Sequence, residues 1–349
     1  MVNWGVIGCG GIAYRRTIPE GFINAKNARL ISVMDIDSNK AKEVGERFGV
    51  EYSTNIEDIL SDSRIQAVYI ATPVYLHKEQ IIRSSLAGKH ILCEKPLALN
   101  SKDAESSIEI CKENKVKLGV GYMMRFHSLH NKAREMIKNG ELGEIVFARA
   151  QLSCWYPPIS GAWRQDPTLG GGGALIDMGS HCLDLLEYIL GTDIETVSCF
   201  ADNVVHNYKS EDSSLVMVRF KNRAHGVIDS YFNIPDNSSK NRLEIYGTKG
   251  SLLAEGTIGQ SSFGEMIAFL EKDSKGYDAS QMRGIGGGIK IEVPFVNIYQ
   301  SEIEAFSSAI EEDKEPPVPG EIGLWNLKVI EACYKSSRNK SQITLKRSD

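Results

Sequence analysis

The sequence predicts an α/β protein of two domains: an N-terminal doubly wound parallel sheet, then an α/β domain with a large, mostly antiparallel open sheet. Three observations carry that expectation. At 349 residues the chain exceeds one ordinary hydrophobic core and suits two domains. Up to residue 121 short apolar runs alternate with amphipathic stretches, which is how βαβ units read. From residue 122 onward longer segments alternate apolar and polar residues, as strands do when only one sheet face is buried. The domains are therefore expected at 1–121 and 122–349.

In the first domain, strands are expected at 4–8, 29–34, 66–71, 89–93 and 117–121, with helices over 38–48, 75–87 and 101–114. In the last helix Ala104, Ile108 and Cys111 fall at helical spacing, and Ser101 stands where an N-cap is expected. In the second domain 144–154, 214–220, 224–232, 242–247 and 251–255 alternate as strands. Helices are expected at 178–190, 299–312 and 321–337.

Composition narrows the function. Hydrophobic residues make up 42% and charged residues 24%, and no apolar run approaches the ~20 residues needed to cross a bilayer, so no membrane partner is expected. The 40 basic and 45 acidic residues are mixed along the chain, which leaves no basic footprint for nucleic acid. The opening MVNWGVIGCGGIA lacks the pattern of a secretory leader, and seven scattered cysteines without a C-x-x-C spacing argue against a disulfide framework. A cytoplasmic location is the expectation. The histidines show no coherent ligand spacing, so no catalytic metal is expected.

Gly8, Gly10, Gly11, Ile12 and Ala13 fit the G-x-G-x-x-A fingerprint between an apolar strand and a helix, the context required for dinucleotide binding by a Rossmann domain. The glycines allow a tight turn and close approach of the pyrophosphate, and the helix N-terminus supplies amide donors. Asp35 stands at the end of the second strand, where a carboxylate accepts from both ribose hydroxyls and repels a 2′-phosphate. NAD is therefore expected over NADP. The plain alternative makes this a glycine turn with Asp35 capping the next helix. Ala71, Thr72 and Pro73, and then Glu94 and Lys95, end further strands on the same edge, where turn formation and cofactor contact read alike.

The fingerprint, Glu94-Lys95-Pro96, Gly121 to Phe126, Trp163-Arg164, the glycine run 170–173 and Asp177-Met178-Gly179-Ser180-His181 together resemble the glucose-fructose oxidoreductase, inositol dehydrogenase and MocA family. The resemblance extends to Tyr299-x-x-Glu302-x-x-x-Phe306. It implies NAD(P)-dependent chemistry on a sugar or cyclitol, and a homodimer or homotetramer formed through the C-terminal sheet. The family's catalytic lysine falls on Lys95, and its aspartate and histidine fall on Asp177 and His181. Cofactor contacts are expected to extend to Ile36, His77, Trp163 and Arg164. The Tyr156-Pro157-Pro158…Trp163-Arg164 segment resembles the 1,5-anhydrofructose reductases of the family. Those use NADP, from which Asp35 departs.

Asp177 and His181 stand four apart, so on an α-helix their side chains share a face and meet. His181 is the candidate base for a hydroxyl proton, Asp177 its orienting partner and Lys95 the stabiliser of a developing alkoxide. The structural alternative makes Asp177 an N-cap and His181 a core histidine. Arg125, Tyr156, Trp163 and Arg164 are candidates for binding a polyhydroxylated substrate, the aromatics by stacking on its ring; loop packing accounts for the aromatics equally well. Two other functions fit the fold: a glycosidase or lyase with transient redox at NAD, and a non-catalytic dinucleotide-binding regulator.

Overall fold

The computed structural model describes residues 1–271 and 287–347. Its first sheet is parallel and comprises β1 (Val2–Ile7), β2 (Ala28–Met34), β3 (Glu51–Ser53), β4 (Ala67–Ile70), β5 (His90–Glu94) and β6 (Leu118–Gly121). Their spatial order is β3-β2-β1-β4-β5-β6. β1 and β4 are neighbours although not consecutive, and at such a reversal the crevice of a doubly wound sheet opens. Five of the strands lie within two residues of their expected spans. The sixth, β3, is three residues long with Glu51 and Tyr52 exposed, so it carries no apolar signal.

Both faces of this sheet are covered, which is why β4 is buried along its whole length. Val68, Ile70, Ile91 and Cys93 face a layer with Ile81, Ala104 and Ile108. Trp4, Tyr69 and Leu92 face the other layer, with Ile18, Phe22, Ile303 and Phe306. The second layer draws on a late segment of the chain, the helix Ile298–Glu311. Trp4 Nε1 donates to Ser307 Oγ at 3.1 Å, and its ring lies 5.5 Å from Phe306. One helix boundary differs from expectation. Asn100, not Ser101, caps the helix Ser101–Glu113: its extended backbone lets the side-chain oxygen accept from Asp103 N at 2.9 Å. Ser101 is the first helical residue, and its amide and hydroxyl both donate to Glu331 at 2.7 Å.

The second sheet comprises β7 (Ile145–Ser153), β8 (Ile194–Asp202), β9 (Ser213–Phe220), β10 (His225–Tyr231), β11 (Leu243–Gly247), β12 (Gly250–Glu255), β13 (Glu265–Leu270), β14 (Ile289–Lys290) and β15 (Ile343–Thr344). It runs in the order β14-β13-β12-β11-β7-β10-β9-β8-β15, and among the described residues only β7 and β10 pair in parallel. Ala148, Val216, Ile228 and Ile245 pack on Leu183 and Leu186 of the helix Ser180–Leu190 and on Ile330 and Cys333 of the helix Gly320–Asn339. The opposite face leaves Phe200, Met217, Tyr246 and Ile267 exposed. Among the described residues no helix is long and apolar enough to cross a membrane.

Candidate active site

The crevice begins where β1 ends. Gly8 has a φ of +84°, and a Cβ there would meet Thr72 Cγ2 at 2.6 Å, so the loops after β1 and β4 touch only because the residue is glycine. At Gly11, with a φ of +48°, a Cβ would meet nothing within 4 Å: this side of the turn is open to a ligand. The helix Ala13–Phe22 starts directly behind it, wound as a π-helix, with Ile12 at its N-cap. Asp35 follows β2 and its Oδ1 accepts from Asp37 N at 3.1 Å. The cap of the next helix is Asp37, so the capping alternative for Asp35 does not hold. Ile36 is exposed beside it. An open glycine cradle, a helix N-terminus and a half-buried carboxylate fit a dinucleotide.

The loops after β4 and β5 form the rest of the edge. Thr72 Oγ1 donates to Gln80 Oε1 at 2.6 Å. His77, expected at the cofactor, is instead a tie between the two loops. It is 1% exposed, and its ring nitrogens lie 2.9 Å from the carbonyl oxygens of Pro96 and Thr72. Burial holds its pKa below the ordinary histidine value. Glu94 accepts a hydrogen bond from Tyr69 OH beneath the edge.

Beyond β5 a polar cluster assembles. Lys95 Nζ donates to the main-chain oxygen of Asp177 and, at 3.0 Å, to its Oδ1. Arg164 Nε lies 3.2 Å from the same Oδ1, and its guanidinium stacks 4.1 Å from the centre of the Trp163 ring. Burial opposes the charge on Asp177, but Lys95 and Arg164 outweigh it and hold the carboxyl well below the usual range. His181 lies on the following turn, 7% exposed, with its ring edge-on to Tyr122 at 6.1 Å. Burial and then the charge of Lys95 push its pKa well below the ordinary value, against Asp177.

Two expectations about this cluster need correction. Asp177 makes no hydrogen bond to His181 among the described residues: its carboxylate is taken by Lys95 and Arg164, and His181 Nδ1 is buried without a partner. The backbone winds as a π-helix over Leu175–Gly179 and passes into an α-helix only at Ser180, so the side chains do not keep the α-helical register assumed for them. Asp177 is likewise no N-cap. Arg125 does not join the cluster. It is held by both oxygens of Asp184, at 2.9 and 2.6 Å, and stacks on Tyr188 in a separate cleft of about 340 Å³ between the helix Ser180–Leu190 and the helix Gly320–Asn339.

Sequence reading passed over two contributors. Lys40 lies in the first turn of the helix Ser38–Phe48, and its side chain would meet a Cβ at Gly10 at 3.1 Å, which puts a positive charge beside the fingerprint. Its place five residues after Asp35 was a usable signal. Glu211 accepts from Gly173 N at 2.9 Å, Leu175 N at 3.0 Å and Tyr334 OH at 2.8 Å, and so anchors the start of the segment that carries Asp177. Nothing local announces a contact 36 positions away.

Comparison with known proteins agrees with this architecture. Residues 2–122 match the oxidoreductase family with NAD-binding Rossmann fold, and residues 130–253 match the GFO/IDH/MocA C-terminal domain. The chain belongs to the glucose-fructose oxidoreductase, inositol dehydrogenase and MocA family of oxidoreductases. It is 29% identical to 1,5-anhydro-D-fructose reductase of Ensifer adhaerens, over 97% of this chain and 96% of that protein. It is 28% identical to myo-inositol 2-dehydrogenase of Thermotoga maritima, over 98% of both. Among solved structures it resembles aldose-aldose oxidoreductase from Caulobacter crescentus complexed with glycerol, with a TM-score of 0.88, 26% identity and 99% of each chain covered.

Proposed function

We propose that this chain exchanges a hydride between NAD and a hydroxyl or ketone carbon of a neutral sugar, anhydrosugar or cyclitol. The observation that carries the reading is the Lys95–Asp177 pair, held at the C-terminal edge of the sheet beside an open dinucleotide cradle and one turn from His181. When bound, the nicotinamide accepts or returns the hydride. The chain's own residues handle the oxygen and its proton. Asp177 fixes the ammonium of Lys95, which polarises the reacting oxygen and favours an alkoxide as it forms. His181, kept neutral by burial and by Lys95, is in the protonation state needed to accept a hydroxyl proton. Tyr156, Trp163 and Arg164 form the wall beside this cluster and suit a polyol ring that stacks on its face and bonds at its edge.

Asp35 supports NAD over NADP, with Lys40 as the opposing charge whose weight a cofactor comparison measures. The exposed apolar face of the second sheet supports pairing with a second copy as a dimer or tetramer. The seven cysteines are unpaired and six are buried, which suits a reducing cytoplasm. The test is an absorbance screen at the NADH band against sugars, anhydrosugars and inositols, in both directions and with both cofactors. Turnover of neutral polyols supports the reading. Reaction of 2-hydroxy acids or amino acids alone contradicts it, and product release without net NADH formation selects the transient-redox alternative.

A further inference from the structure

The cleft that holds Arg125 belongs to neither the dinucleotide cradle nor the Lys95 cluster. It opens between the helix Ser180–Leu190 and the helix Gly320–Asn339, and its volume of about 340 Å³ reaches the range of small-ligand sites. Four cations line it, Arg125, Arg134, Lys221 and Arg347. Three carboxyls stand against them, and each of their oxygens is already bonded. Asp184 accepts from Nε and Nη2 of Arg125 at 2.9 and 2.6 Å. Asp193 accepts from Lys221 Nζ at 2.8 Å on one oxygen and from Arg347 Nη1 at 2.5 Å on the other. Glu187 accepts from Ile194 N and, through both oxygens, from Trp325 Nε1. The cleft therefore carries one more cation than anion even when every carboxyl is ionised.

Arg134 is the cation left over. It stands exposed on the helix Ser128–Lys138, and among the described residues its side chain makes no ion pair or hydrogen bond; the neighbouring Glu135 is taken by Lys132 at 3.1 Å. Its guanidinium lies 4.3 Å from the centre of the Tyr188 ring, and that of Arg125 lies 4.9 Å from the same centre. The ring is itself fixed, because Tyr188 OH donates to Asn131 Oδ1 at 2.6 Å on the helix that carries Arg134. Two guanidiniums are thus held beside one aromatic ring with N–H groups still to satisfy, since Arg125 uses only Nε and Nη2 on Asp184. On another wall Arg347 bonds Asp193 through Nη1, and its guanidinium lies 5.4 Å from the centre of the Trp325 ring. Planar forks of this kind match the oxygens of a phosphate or carboxylate, and such a group supplies the charge that the cleft lacks. The helix Ser180–Leu190 ends at Gly191 on a further side, where its carbonyl oxygens disfavour an anion. The arginine side is the place for one.

We propose that this cleft is a binding site for a small oxyanion, a phosphate or carboxylate group carried by a soluble ligand, with Arg134 and Arg125 as its principal donors and Arg347 on the facing wall. The site is distinct from those for dinucleotide and polyol. Its argument uses no hydride chemistry, so it holds or fails independently of the proposed function.

The test is calorimetric titration of the full chain near neutral pH with inorganic phosphate and, separately, with citrate, at an ionic strength held constant with chloride. Each titration is run with and without saturating NADH, which keeps the pyrophosphate cradle filled. The expected result is one saturable site that persists with NADH present, and whose affinity falls about tenfold or more in Arg134→Ala, the usual consequence of losing a charge-assisted hydrogen bond. Because Arg134 is exposed and unpaired, the thermal midpoint of that variant without anion should match the parent's. Binding of phosphate alone supports a phosphoryl ligand, binding of citrate alone a polycarboxylate, and binding of both a site that reads charge. Absence of saturable binding by either probe overturns the proposal. So does equal affinity in the parent and Arg134→Ala, or loss of the site when NADH is added, which would place the anion in the cradle.

Discussion

The cradle at the end of β1 and the polar cluster beyond β5 lie along one edge of the first sheet and are built in opposite ways. The cradle uses residues 8–13 and Asp35, two short stretches joined by a single crossover helix, and its geometry is mostly backbone: a positive φ, an open turn and a helix N-terminus. The cluster joins Lys95 to Asp177, 82 positions apart, and its geometry is mostly side-chain charge. A backbone site tolerates change in what surrounds it, whereas a charge cluster depends on every member. The two should therefore respond to mutation differently.

The largest effect expected is on turnover. His181→Ala should lower kcat by about two to four orders of magnitude, the usual cost of losing a proton acceptor, with little change in dinucleotide affinity. Steady-state rates checked against thermal unfolding measure this; an unchanged kcat would remove His181 as the base. Asp177→Asn breaks the cluster at its centre, because it leaves the nearly buried Lys95 and the part-exposed Arg164 as neighbouring cations with no anion between them. It should cost about 1–2 kcal/mol of stability as well as turnover, less than a fully buried pair because Arg164 is partly screened by solvent, read from denaturant unfolding. A variant as stable as the parent would mean that solvent screens these charges.

The cradle gives smaller, more specific changes. Asp35→Ser should move the ratio of kcat/KM for NAD and NADP by about tenfold or more toward NADP, since like charge at short range is removed and Lys40 stays. A shift of less than about two-fold would show that Asp35 does not set the preference. A control outside both regions is Glu187, which accepts from Trp325 Nε1 at 2.8 Å and Ile194 N at 2.6 Å, and whose carboxyl burial pushes up to about 7. The folded state holds this proton over a range where the unfolded chain, at 4.5, has lost it, so stability falls as pH rises from about 4.5 to about 7 and then levels. Glu187→Gln should remove that loss, raising stability by about 1–3 kcal/mol at pH 8 and little at pH 4.5. Equal differences at both pH values would contradict the assignment.

The same contrast explains what the sequence made legible. Fingerprint, strand and acid lie close together in the chain, so the cradle and five strands of its sheet could be read from periodicity and glycine placement. The second sheet was legible in kind and incomplete in detail. β8 and β13 went unread, and β14 and β15, two residues each, give no periodic signal at all. In the cluster, motif identity pointed to Lys95, Asp177 and His181, but not to their pairing. That depends on a π-wound segment, on Glu211 holding its start, and on Arg164 competing for the same carboxylate oxygen. Arg125 and His77 show the converse: residue type and position suited a ligand, yet each had already been bonded within the fold.

The central claim is that dinucleotide binding and proton–hydride chemistry are carried by separate residues of one crevice. Lys95→Ala tests it most directly, by calorimetric NAD titration and steady-state turnover of a polyol substrate on the same preparation. NAD affinity within about three-fold of the parent, with kcat lower by two to four orders of magnitude or thereabouts, is the predicted result. Unchanged turnover, or loss of NAD affinity in proportion to the loss of turnover, would contradict it.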